Sequence, residues 1–226
     1  MSDAPDDGGA RRGVVRDALG VGVAVGSYGF AFGAASVAAG LSTLQTCLLS
    51  LLAFTGGTQF AVVGVVAGGG GLAAALTNGL LLGSRNTLYA MRLAPMLQVR
   101  GARRLLAALG TIDESTAMAT AQRRPELGRL AFWWTFAGVF FFWNASTLLG
   151  ALTGSLIDPV SVGLDAVVPA AFLALVAPQL RKGAVERRIA VVAALIALAL
   201  IPITPPGVPV LVGCAALVLA GRMRAS

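Results

Sequence analysis

Residues 51–66 read LLAFTGGTQFAVVGVV. An apolar run suited to a membrane is interrupted by Thr55-Gly56-Gly57-Thr58-Gln59. Each mid-helix glycine costs roughly 1 kcal/mol relative to alanine, and hydrocarbon offers no new partner to a backbone group that unwinding sets free. Such a break survives only against protein or a water-filled cavity. One reading is a discontinuous helix that holds substrate, its half-helix N-terminus facing a carboxylate and its freed carbonyls facing a cation or ammonium. The other is a glycine packing notch whose threonine hydroxyls bond back to the preceding turn. Gln59 adds an amide that a packing notch does not need, so the binding reading is adopted.

The rest of the composition agrees with a membrane setting. AVILMFWYC residues make up 57% of the 226-residue chain, 12% is charged, and mean hydropathy is +0.82. A soluble domain carries roughly a quarter charged residues, so the expected fold is all-α, a polytopic transmembrane bundle of helices. The 29 glycines suit close helix packing. The net charge of +7 is dispersed among the connections between apolar runs, which argues for membrane orientation rather than nucleic-acid binding. Cys47 and Cys214 each lie in an apolar run and read as packing residues, with no disulfide framework or metal spacing. Histidine is absent. No Ser/His or Cys/His pair, P-loop or G-x-G-x-x-G context occurs, so no enzyme activity and no cofactor are expected.

Residues 1–16 read as a polar, disordered tail, and 17–222 as one integral membrane domain. Apolar segments cover 18–39, 41–67, 72–97, 129–153, 164–180, 188–201 and 208–221, with a more polar stretch at 105–122. All read as helices, since no strand alternation appears. If 105–122 crosses, there are eight spans, with twelve basic residues inside and four outside. If it does not, there are seven, with thirteen inside and three outside. The positive-inside rule does not separate these models. Both put Arg181–Arg188 and the C-terminus in the cytoplasm and Asp158 and Asp165 opposite.

Three further clusters stand at membrane depth. Arg85 sits inside an apolar segment, where an arginine costs about 2.5–3.5 kcal/mol on insertion scales. Asn78, Arg85 and Tyr89 share one helical face, and Asn86 lies about 100° from Arg85. Asp113 and Glu114 are the acidic residues between Asp17 and Glu126. Either could pair with Arg85 or carry a coupling proton; a solvated amphipathic segment is the alternative. In the aromatic run 132–143, Trp133 and Trp134 beside Arg129 read as interfacial anchors. Its phenylalanines are expected to face lipid or a partner, with Asn144 capping or cross-linking helices.

At these residues the chain resembles the AzlC-type branched-chain amino-acid permeases, large subunits of two-component bacterial exporters. The resemblance rests on FTGGTQF (54–60), the N-x6-R-x3-Y pattern of Asn78, Arg85 and Tyr89, LAP (93–95), IDE (112–114) and PAAFLALVAPQLRK (169–182). It spans roughly residues 17–221. Departures are Asn86 where the family often has histidine, Ala90 for a glycine, and Thr111-Ile112-Asp113-Glu114 for a compact T-D-E. The resemblance implies proton-driven export of branched-chain amino acids across the cytoplasmic membrane. It also implies a small hydrophobic AzlD-like partner of about four spans. The expected bundle has 7–8 helices with at least one discontinuous. Substrate is expected at Thr55, Gly56, Gly57, Thr58, Gln59, Asn78, Arg85, Asn86 and Tyr89, with Asp113 and Glu114 as proton-coupling candidates. Alternatives are a non-transporting assembly subunit, or an exporter of another zwitterion such as methionine. No convincing self-similarity relates 18–97 to 129–221.

Overall fold

A computed structural model describes residues 7–156, 177, 180–181, 183–204 and 208–213. Most of the expected spans at 164–180 and 208–221, and Cys214, Asp158 and Asp165, lie outside those residues. The described residues contain helices α1 (Asp7–Gly26), α2 (Tyr28–Ala38), α3 (Thr43–Leu52), α4 (Gly56–Ala67), α5 (Leu72–Gly83) and α6 (Arg85–Leu97). They continue with α7 (Ala102–Leu109), α8 (Asp113–Thr120), α9 (Pro125–Leu156), α10 (Ala184–Leu200) and α11 (Val208–Gly213). No strand occurs among them. Residues 7–16, expected to be a disordered tail, form the first turns of α1. Val14 in that stretch is buried, which gives these turns an anchor despite their charge.

The frame is a seam of small residues. Gly22 meets Gly138, Gly26 meets Phe142, Gly29 meets Trp143, and Gly33 meets Thr147 and Ala151. A Cβ at Gly29 or Gly33 would overlap the α9 backbone. Numbers rise together along both partners, so α1–α2 and α9 run parallel. Each apolar stretch, Gly8–Ala38 and Pro125–Gly154, is about 45 Å long at 1.5 Å per residue, enough to cross a bilayer. Ser27 separates α1 from α2, its hydroxyl donating to the Ala24 carbonyl at 2.8 Å. Ser84 does the same between α5 and α6, donating to Leu81 at 2.7 Å. Such back-bonding bends helices.

Contacts with α9 also fix the direction of the shorter helices. Ser50 of α3 reaches Thr147, Phe54 lies on Phe136 and Phe140, and then Gln59 of α4 returns to Trp143. Antiparallel to α4, α5 sets Gly79 against Thr58 and Val62 and Gly83 against Thr58. Residues 43–67 therefore double back at Ala53–Thr55 as a hairpin of two half-helices. Gly40 (φ 93°) and Gly69 (φ 77°) close the turns beside this hairpin, in a conformation costly for residues with a Cβ. The second hairpin is α7–α8. Gly110 at its tip packs on Phe136, while Ala107 and Ala119 from its two arms share one cluster with Phe132. Met96 and Ala119 both flank Gly128 near the start of α9.

The second hairpin thus enters from the end where α1 and α9 begin, and the first from the opposite end. Their tips, Phe54 and Ile112, meet in one core cluster with Val139 and Trp143. This corrects the expectation of a single discontinuous helix running through 41–67. Hydropathy is the same whether such a segment crosses or doubles back. The aromatic run also needs correction. Phe132 and Trp143 are buried and Phe136 and Phe140 pack on the core, whereas Phe141 is 66% exposed. Asn144 donates to the Phe140 carbonyl of its own helix at 2.8 Å.

Overpacking the seam is expected to cost about 1–3 kcal/mol or more. Gly33→Val should lose monodisperse folded protein in detergent size-exclusion, while Gly20→Ala, which meets nothing within 4 Å, should behave as wild type.

Candidate functional site

Where the tips converge, a cavity of about 520 Å³ opens. Its polar wall comes from both hairpins and α6. Thr55 caps α4, its hydroxyl accepting from the Thr58 N–H at 3.4 Å and donating to the Thr58 hydroxyl at 2.9 Å. The first two N–H groups of α4, on Gly56 and Gly57, lack any partner within the helix, and both glycines line the cavity. Glycine leaves these donors uncovered. It also lets Arg85 approach, since a Cβ on Gly57 would sit 3.3 Å from an Arg85 guanidinium nitrogen.

The equivalent first two positions of α8 hold Asp113 and Glu114. There the carboxylates complement the positive helix end. Arg85 donates to Asp113 at 2.6 Å and Tyr89 donates to its other oxygen at 2.7 Å. Asp113 is therefore engaged on both oxygens, which removes the alternative of a wholly solvated segment. The Arg85 Nε–H is buried without a partner. Glu114 faces the same cavity. The wall thus has a cationic side, made of Arg85 and a bare helix N-terminus, and an anionic side. Val25, Leu82, Val139 and Trp143 supply its apolar part.

The expected site residues divide. Thr55, Gly56, Gly57, Arg85, Tyr89, Asp113 and Glu114 line this cavity. Thr58 and Asn86 line a neighbouring one of about 510 Å³ on the other side of the α3–α4 tip. Asn78 is buried on α5, its amide donating to the Ala74 carbonyl at 2.9 Å, and lines neither. Gln59 is wholly buried and stitches the first hairpin. Its amide donates to the carbonyls of Ser50 (3.2 Å) and Ala53 (3.0 Å), and its oxygen accepts from the Trp143 indole at 2.9 Å. The amide that argued for substrate binding satisfies the Ser50 carbonyl where α3 stops and adds a bond to that of Ala53, which also accepts from the Thr55 N–H. Ser115 serves the second hairpin, donating to the carbonyls of Gly110 and Ile112 and accepting from the Ile112 N–H. Tyr28, Val25 and Trp143 belong to the cavity lining and were not singled out in the sequence as site residues. Tyr28 is an aromatic among glycines and Trp143 ends a phenylalanine run, whereas Val25 carries no signal in the sequence.

A family model described as AzlC protein matches residues 20–157. The chain belongs to the AzlC family. That match covers both hairpins, α5–α6 and α9. A curated relative, Inner membrane protein YgaZ of Escherichia coli (strain K12), is 26% identical over 204 residues, covering 86% of this chain and 82% of its own length. No solved structure matches.

Removing the Gln59 stitch would strand the Ser50 carbonyl and the Trp143 N–H, and leave the Ala53 carbonyl only its bond from the Thr55 N–H. Leaving buried groups unpaired costs about 1–3 kcal/mol each. Gln59→Leu should therefore lower the thermal unfolding midpoint by several degrees, and Thr77→Val on the exposed face of α5 should not.

Proposed function

We propose that this AzlC-family protein is a multi-pass transporter subunit of the cytoplasmic membrane that exports branched-chain amino acids. The observation carrying the proposal is the cavity between the two hairpin tips, with opposite charges on a partly apolar wall. A zwitterion's carboxylate binds the Gly56 and Gly57 N–H groups and the free Arg85 Nε–H. Its ammonium binds Glu114, because Asp113 is already held by Arg85 and Tyr89. The aliphatic side chain lies on Val25, Leu82, Val139 and Trp143. Methionine fits the same chemistry, and a substrate panel separates it from leucine, isoleucine and valine.

Alternating access follows from hairpins that enter from opposite ends. Withdrawing α7–α8 opens the cavity towards the end where α1 and α9 begin, and withdrawing α3–α4 opens it towards the other. Asp113 and Glu114 are the groups available to couple proton movement to that exchange. A carboxylate released from Arg85 in a low-dielectric cavity takes up a proton readily.

Charge supports the orientation. Arg11, Arg12, Arg16, Arg100, Arg103, Arg104, Arg123, Arg124 and Arg129 belong to the end where α1 and α9 begin, whereas connections 39–42 and 68–71 carry no charge. The basic end is then cytoplasmic. Neither count of basic residues based on a crossing 41–67 separates the sides so completely. Exposed leucines such as Leu52, Leu72, Leu80 and Leu105, each at least 75% accessible, are suited to hydrocarbon.

Two outcomes test the proposal. In liposomes, with the small partner subunit co-expressed, counterflow of labelled leucine should fall at least tenfold in Arg85→Ala and Gly57→Leu, a loss of about 1.4 kcal/mol or more. Wild-type rates in both variants would refute the site. In a background lacking the native cysteines, single cysteines at Gly101 and Arg123 should both label from the cytoplasm and one at Gly69 from outside. Labelling of positions 101 and 123 from opposite sides would refute the hairpin topology.

A further inference from the structure

At the basic end, a third cavity of about 860 Å³ lies between the starts of α1, α7 and α9 and the end of α6. Four guanidinium groups line it, those of Arg11, Arg100, Arg103 and Arg129. One carboxylate, Glu126, shares the lining and is paired with Arg124 at 3.3 Å. Among the described residues, Arg11, Arg100 and Arg103 have no ion-pair partner. Arg129 makes only a long donation of 3.5 Å to the Met96 carbonyl. The connection holding Arg100 is shaped by two residues of positive φ, Gln98 (50°) and Gly101 (56°). Like charges gathered around one space repel unless an anion joins them.

The remainder of the lining is apolar and includes Trp133 and Trp134. It includes exposed surface at Leu106, 51% accessible, and Trp134, 42% accessible. A small soluble anion would use the arginines and leave this surface uncovered. We propose that the cavity binds an anionic phospholipid, its phosphodiester held by the arginines and an acyl chain laid along Trp134 and α7. Guanidinium forks suit phosphate oxygens, basic pockets between helices on the cytoplasmic side suit such headgroups, and tryptophan suits headgroup depth. The proposal rests on the membrane orientation above, because it requires the basic end to lie at the bilayer surface. Its consequence concerns the second hairpin: a lipid held by Arg103 on α7 together with Arg11 and Arg129 ties that hairpin to the α1–α9 frame.

Binding is measured on purified full-length protein, so the result does not depend on whether amino acids are transported. Native mass spectrometry and thermal unfolding in neutral detergent compare phosphatidylglycerol, phosphatidylcholine with the same acyl chains, and inorganic phosphate. Phosphatidylglycerol should be retained and raise the unfolding midpoint, and the other two should not. Arg100→Gln with Arg103→Gln should weaken retention by about tenfold or more, and the control Arg16→Gln with Arg123→Gln should not. Folding of the double variant is checked by its unfolding midpoint without lipid. Equal retention of phosphatidylcholine, stabilisation by phosphate alone, or unchanged affinity in the folded Arg100/Arg103 variant would each overturn the proposal.

Discussion

A helix that stops inside a bundle leaves carbonyls at its end and N–H groups at the start of the next helix with nothing to bond. Around the cavity of this protein, the structure depends on where those groups find partners. In the first hairpin, Gln59 takes the carbonyls of Ser50 and Ala53 and fastens the turn to Trp143. In the second, the Gly110 and Ile112 carbonyls accept from the Ile112 and Thr116 N–H groups, and the Ser115 hydroxyl adds a bond to each. With the carbonyls satisfied locally, the two helix starts are left facing the cavity. One has Gly-Gly and stays cationic; the other has Asp-Glu and becomes anionic. The cavity's polarity thus arises from two residue pairs at equivalent places on two similar devices.

The glycine seam makes that meeting possible. Close approach of α1–α2 to α9 sets both helices parallel and holds Trp143 where Gln59, Phe32 and Phe60 converge. Parallel packing also constrains the intervening chain, because residues 39–124 must return to the end from which they could start α9. One full traverse, α5–α6, does this, and the two hairpins begin and end on their own sides. Arg85 follows the bend at Ser84 directly, which brings its guanidinium to both tips at once, near Gly57 and bonded to Asp113.

Much of this was legible in the sequence. Apolar composition and absent strand alternation announced an all-α chain, and glycines between hydroxyls marked the first break to within a turn. An arginine inside an apolar segment, with a single acidic pair as candidate partner, made an Arg85 contact to Asp113 or Glu114 one of the stated options. Direction was not legible. Residues 41–67 have the hydropathy of a span, and only their contacts with α9 reveal the reversal. Gln59 was misread for a related reason: a polar side chain at a break looks the same whether it serves a ligand or the freed backbone. The phenylalanines of α9 were assigned outward because a run of aromatics hides its helical face. Phe136 and Phe140 share a side with Trp143, and Phe141 does not. The similar devices are 43–67 and 102–120, alike in backbone path and unlike in the residues at their helix starts, Gly-Gly against Asp-Glu.

The most direct measurement is an experimental density map of the protein in a lipid nanodisc with leucine bound. The account predicts ligand density between the tips, its carboxylate within hydrogen-bonding distance of the Gly56 and Gly57 N–H groups and its ammonium beside Glu114. Leucine in the neighbouring cavity at Asn86, or a chain in which residues 43–67 pass straight through the bilayer, would contradict it.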